Sequence, residues 1–205
     1  MKEPFKQNDV FKHVDFDPLN ACVGNNGGPY DLYDYAKGYF DATSILLENV
    51  GGGHALIDLV VYPICFDFRH AVELYLKYVI TDLAKVKRTA HRFKAGHSLL
   101  QNWKAAKSLL KHIQATEEDV AYFETVVTCI DEVDRTNGQT FRYPESIKGD
   151  QHLKEWSTIN LPTVKTHNTK IAEIAHSWHR HIEDALETSR VRAGDNISAS
   201  VPVGK

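Results

Sequence analysis

The stretch YPICFDFRHAVELYLKYVITDLAK, residues 62–85, decides the fold. Its apolar residues Ile64, Phe68, Val72, Tyr75, Val79 and Leu83 recur every three or four positions, the stripe of a helix buried along one side. Beside the stripe run Arg69, His70, Glu73 and Lys77. Arg69 with Glu73, and Glu73 with Lys77, stand four apart, so each pair meets on the helix surface. His70, three before Glu73, can join them. Polar groups on an otherwise apolar central helix form either a buried structural network or a site.

Upstream, residues 1–29 are turn-rich and read as an irregular arm. The run Gly24-Asn25-Asn26-Gly27-Gly28 lacks the order of a phosphate loop and follows no convincing strand. A first helix is expected over 29–49, with Pro29 in its first turn and Tyr33, Ala36, Phe40, Thr43 and Leu47 inward. The nearby Tyr30, Tyr33, Tyr35 and Tyr39 suit either base stacking or an aromatic core face. Gly51-Gly52-Gly53 stops this helix, and the central one starts either at Asp58 as cap or at Pro63.

Downstream, residues 85–97 hold five Lys or Arg (Lys85, Lys87, Arg88, Arg92, Lys94), with His91 and His97 and no acid. Ser98 and Gln101 make a capping box for a third helix with Leu99, Trp103, Ala106, Leu110 and Ile113 inward. Lys104, Lys107 and Lys111 occupy a different stripe, either a phosphate-holding face or a solvated one. Thr116 and Asp119 open a fourth helix, with Val120, Phe123, Val127 and Ile130 inward and Asn137-Gly138 as its end. Residues 116–134 contain seven acids and no Lys or Arg, so basic and acidic helices follow one another. QTFRYPESIKGDQHLKEWSTIN, residues 139–160, breaks the periodicity; an extended excursion is expected, with a small hairpin pairing 141–143 with 156–159. Asn160 then caps a last helix over 161–189, and residues 189–205 read as a flexible tail.

With 205 residues, 42% of them hydrophobic, the chain buries one good core. A net charge of −3 excludes a globally basic nucleic-acid binder but leaves room for a local basic patch. Cys22, Cys65 and Cys129 are scattered, which points to neither a disulfide framework nor a zinc site and fits a reducing cytoplasm. No opening apolar run marks a signal peptide, and the most apolar segment, 55–66, is too short to span a bilayer. His176, His179 and His181 do not share one face, so they are expected to face solvent instead of binding a metal.

The order of FRHAVELYLK, GHSLLQNW and FRYPES before a closing helix resembles the HEPN superfamily, all-α domains of prokaryotic toxin–antitoxin and anti-phage systems. The likeness covers roughly residues 30–188 and rests on Ala71, Glu73, Leu76-Lys77, His97-Ser98-Leu99 and Arg142-Tyr143-Pro144. The resemblance implies an all-α bundle of about five helices. It also implies an RNA- or nucleotide-binding protein, a homodimer and a cognate protein partner, with no cofactor. Many members are metal-independent RNases in which two R-x(4–6)-H motifs meet across the dimer. There a histidine moves protons at the 2′-hydroxyl and leaving oxygen, and the arginine neutralises phosphate charge.

Arg92 and His97 fit that spacing, but in catalytic relatives the motif lies later, just before the final helix. Arg142 holds the later place, yet the next histidine, His152, is ten residues on. Either the catalytic pair Arg92/His97 is displaced, or the motif is absent and His97 caps and packs the third helix. In a non-catalytic module, Arg142, Tyr143, Arg69 and His70 would line a pocket for phosphate and base or brace the core. A structural or partner-binding subunit is the remaining alternative.

Overall fold

Three of the other four helices in the helical unit pack on α2, residues Ile57–Val86, and the fourth packs on two of those three. The computed structural model describes residues 8–24, 26, 28–50, 56–87 and 96–198. Among these the only regular elements are five helices: α1 Leu32–Val50, α2, α3 Leu99–Leu110, α4 Glu117–Val133 and α5 Leu161–Ser198. The protein is thus all-α, with no strand among the described residues.

The expected stripe of α2 is buried at every position, and Ala71, Leu76, Tyr78, Ile80 and Ala84 widen it until most of the circumference is covered. That breadth follows from its neighbours, because α1, α3 and α5 all pack against it. Aromatic rings join the layers. Phe123 of α4 stacks between Trp103 of α3 and Trp178 of α5, each 5.3 Å away. Tyr75 of α2 tilts against Phe123 at 6.0 Å, and Tyr33 of α1 meets Tyr75 edge-on at 6.4 Å. Flat rings bury large apolar areas in fixed geometry, which makes this column the centre of the core. Of the tyrosines at 30, 33, 35 and 39 only Tyr33 is buried; Tyr30 and Tyr35 are exposed.

Helix ends show where local chemistry overrides periodicity. Asp31 caps α1, since its Oδ1 accepts the N–H groups of Tyr33 (2.7 Å) and Asp34 (3.1 Å). Asp34 returns the favour to the Asp31 N–H (3.0 Å), so the helix begins after this reciprocal box and not at Pro29. α2 begins at Ile57, one residue before Asp58, and Pro63 lies inside it. Proline leaves the carbonyl four residues back, here that of Leu59, without a helical donor, in the first turns where Leu59 is exposed to solvent. Ser98 and Thr116 cap α3 and α4 by accepting the N–H groups of Gln101 (3.3 Å) and Asp119 (3.1 Å). Asn160 caps α5 through the Thr163 N–H (2.9 Å). α5 continues past residue 189, because a polar sequence signals exposure and not a helix stop.

α4 ends at Val133, four residues before Asn137-Gly138. The excursion 139–160 contains no hairpin between 141–143 and 156–159. Its one bridge joins Glu145 and Gln151, flanked by the His152 N–H donating to the Pro144 carbonyl (2.9 Å). Gly149 at φ +83° closes that turn, which makes the tight reversal available five residues earlier than the wider pairing requires.

The chain divides into two units, Met1–Tyr30 and Asp31–Lys205. The described part of the first is built of turns. Asn8 accepts the N–H groups of Val10 and Phe11, Asp17 that of Leu19, and the Asn20 amide donates to the carbonyls of Val14 and Asp17. Such side-chain bonds hold loops in place of a ladder. The glycine stop at 51–53 and residues 88–95, which include Arg88, His91, Arg92 and Lys94, lie outside the described residues.

Candidate functional site

Helical register places Arg69 and Glu73 on the same side of α2, where both are buried (3% and 1% exposed). Buried charges persist only when paired and fully hydrogen-bonded. The Arg69 Nε donates to Asp134 Oδ2 (2.6 Å), one terminal nitrogen donates to Glu73 Oε2, and the other to the His97 carbonyl. One guanidinium therefore ties α2 to the approach of α3 and to the end of α4. Asp134 is held in turn by the Gly138 N–H (2.6 Å), the Thr136 hydroxyl (3.2 Å) and the Thr140 N–H (3.4 Å). The chain wraps that carboxylate by taking positive φ at Asn137 (56°) and Gly138 (100°). A Cβ at Gly138 would stand 3.3 Å from Arg69 Cζ, so glycine is required both by the dihedral and by the close approach.

The other Glu73 oxygen faces outward. Oε1 accepts Lys77 Nζ (2.6 Å) and lies 2.9 Å from His97 Nδ1. Burial pushes the Glu73 carboxyl up, but hydrogen bonds and charge from Lys77 and Arg69 outweigh it and hold the group below the ordinary carboxylate range. An ionised carboxylate only accepts, so His97 donates to it from Nδ1, and in its neutral form the ring then presents the Nε2 lone pair. The His97 side chain is 67% exposed, so that lone pair faces the outside while the ring is anchored from within. A histidine oriented by a buried carboxylate is the arrangement in which imidazole takes a proton from a substrate hydroxyl. His97 does not cap α3; Ser98 does.

The remaining sequence candidates separate into three groups. His70 does not join the ion network: it stacks on Phe66 (5.5 Å) and meets Tyr39 edge-on (4.6 Å), and burial lowers its pKa. Arg142 and Tyr143 are exposed beyond the end of α4 and line a separate cavity. Lys104, Lys107 and Lys111 are exposed along α3, with Lys107 donating to Glu124 of α4 (2.7 Å), so part of the basic face is spent on the neighbouring acidic helix. Arg92 lies outside the described residues. The cavity that Arg142 and Tyr143 line includes neither Arg69 nor His70, and Arg69 instead braces the fold through its three partners.

Sequence reasoning overlooked Asp134, which lies 65 residues from Arg69 and counted only as one acid among seven. The Asn137-Gly138 pair was its signal, since a turn that takes positive φ brings a following N–H back to a preceding side chain. Of the α5 histidines, His179 and His181 are half-buried where solvent exposure was expected, whereas His176 is exposed as expected. His179 stacks on Tyr33 (3.6 Å) with its Nδ1 2.7 Å from the Tyr78 hydroxyl, and His176 Nδ1 lies 2.9 Å from the Tyr33 hydroxyl. Tyrosine hydroxyls and ring faces in reach on α1 and α2 draw the His179 imidazole inward. Among the described residues no group of three His, Cys, Asp or Glu is placed to hold a metal ion, and no helix is long and apolar enough to cross a membrane.

No protein-family model, no curated protein and no solved structure matches the chain.

Proposed function

We propose that this is an HEPN-like protein of a prokaryotic defence or toxin–antitoxin system, which binds RNA and cleaves it without a metal. The observation that carries the reading is the pairing of exposed His97 with buried, ionised Glu73. His97 is the catalytic base, and Glu73 is its positioning residue. Nε2 takes the proton of an RNA 2′-hydroxyl, and the freed oxygen attacks the adjacent phosphorus. The P–O5′ bond breaks, leaving a 2′,3′-cyclic phosphate and a 5′-hydroxyl. The nucleophile belongs to the substrate, so no metal-activated water is called for. The departing 5′-oxygen needs a proton, which a His97 from a second copy of the chain supplies across a dimer. Lys77, beside Glu73, adds positive charge where phosphate charge develops.

A second reading draws on Arg69: a cation buried and saturated by three partners braces a scaffold, as a non-catalytic, partner-binding subunit would need. Incubating purified protein with RNA in EDTA separates the two. Cleavage lost in His97→Ala, and reduced about 10²–10⁴-fold in a folded Glu73→Gln, supports the dyad. Wild-type protein that leaves RNA intact, or His97→Ala that cleaves normally, rejects it.

A further inference from the structure

Past the end of α4, a cavity of about 310 Å³ opens between α2 and the turn at 144–152. Tyr62 of α2 and Tyr143 of the excursion line it, each about half exposed (45% and 49%). Arg142 is held there with its guanidinium 5.7 Å from the Phe66 ring and 5.3 Å from the Tyr143 ring, and it donates to the Tyr143 hydroxyl (3.4 Å). None of these partners is a carboxylate, so the cation retains its charge for an anion. His152 enters the same cavity because its N–H closes the turn on Pro144. Its Nε2 is buried and has no hydrogen-bond partner within the protein. A buried ring nitrogen without a partner costs free energy that a ligand's polar edge recovers.

We infer that this cavity binds one nucleotide unit, with the phosphate on Arg142, the base against Tyr143 and Tyr62, and an edge of the base on His152 Nε2. Flat aromatic faces accept bases through their π-surfaces, a planar guanidinium matches phosphate oxygens, and an unpaired ring nitrogen reads a donor or acceptor on a base edge. The volume stands at the lower end of small-molecule sites, enough for a mononucleotide and too little for a dinucleotide cofactor. Lysine faces alone would hold phosphate, but they offer no such slot for a base.

The site is tied to the one above. Thr140 lines the cavity, and its N–H reaches Asp134, which holds Arg69 and, through it, Glu73. The ligand chemistry is the same whether the unit is a free nucleotide or one residue of an RNA chain, and it does not require RNA cleavage by His97.

The test is titration calorimetry of the full chain with each 5′-ribonucleoside monophosphate, with inorganic phosphate, and with a 2′-O-methyl trinucleotide that cannot be cleaved. Wild type is expected to bind a mononucleotide, the trinucleotide or both, at least tenfold more tightly than phosphate. Arg142→Ala and Tyr143→Ala should each weaken that binding about tenfold, whereas His152→Ala should level the preference among bases. Binding of the mononucleotide alone identifies a free nucleotide, and of the trinucleotide alone an RNA subsite; either supports the site. Calorimetry reads binding apart from cleavage, so a chain that binds but never cleaves sinks only the proposed reaction. Binding by neither ligand class, affinity no greater than for phosphate, or full affinity in folded Arg142→Ala overturns the site.

Discussion

Replacing Arg69 by methionine removes the guanidinium but keeps most of its bulk, so the effect reports charge and hydrogen bonding more than a cavity. The substitution leaves Glu73 with Lys77 and His97, while Asp134 keeps only the Thr136 hydroxyl and the N–H groups of Gly138 and Thr140. The stranded charge is therefore chiefly that of Asp134. Breaking a buried ion pair from one side costs about 3–5 kcal/mol. For a chain of this length that lowers Tm by about 6–20 °C. Adding Asp134→Asn removes the orphaned charge, so the double variant should lose about 1–2 kcal/mol less than the sum of the singles. Urea denaturation of the wild type, both singles and the double variant measures all four terms. A loss below about 1 kcal/mol for Arg69→Met, or strict additivity of the pair, would refute the reasoning that one guanidinium joins three segments.

Gly138→Ala should destabilise by about 1–3 kcal/mol in the same assay, since alanine is strained at φ +100° and its Cβ crowds Arg69. Thr116→Ala should cost about 1 kcal/mol by removing the cap of α4, a loss that Thr116→Ser restores. Burial holds the His179 ring below its ordinary 6.5, so the unfolded chain binds a proton more readily than the fold does. Stability should thus fall as pH drops below that ordinary value and level off beneath the folded one; His179→Asn should flatten this part of a Tm–pH curve. Exposed Cys22 and Cys129 should react with a maleimide in the native protein, whereas burial pushes the Cys65 thiol up to about 12 and delays its labelling until the chain unfolds.

The helical bundle was legible because burial follows helical spacing: every residue of the α2 stripe and all five inward residues expected of α1 lie inside. The caps at Ser98, Thr116 and Asn160 were equally legible, being contacts across three residues. The Arg69–Glu73–Lys77 ladder was visible for the same reason. Contacts set by the third dimension were not. Asp134 reaches Arg69, and His152 reaches the Arg142 cavity, only after turns whose positive φ values no periodicity encodes. In sequence His97 reads either as the partner of Arg92 in a displaced motif or as a capping residue, and only the position of α2 beside the approach to α3 makes it the partner of Glu73.

The turn after α4 also sets a chemical clock. Asn-Gly is the dipeptide most prone to lose its side-chain amide, because the glycine nitrogen closes a succinimide ring on the asparagine and water reopens it as aspartate or isoaspartate. In this fold that nitrogen is engaged: the Gly138 N–H is held 2.6 Å from Asp134 Oδ2, with Asn137 fixed at φ 56°. The hydrogen bond that steadies the Arg69 network thereby withholds the nucleophile of the ageing reaction. Any lesion that frees Asp134 therefore loosens the ion network and releases that nitrogen together.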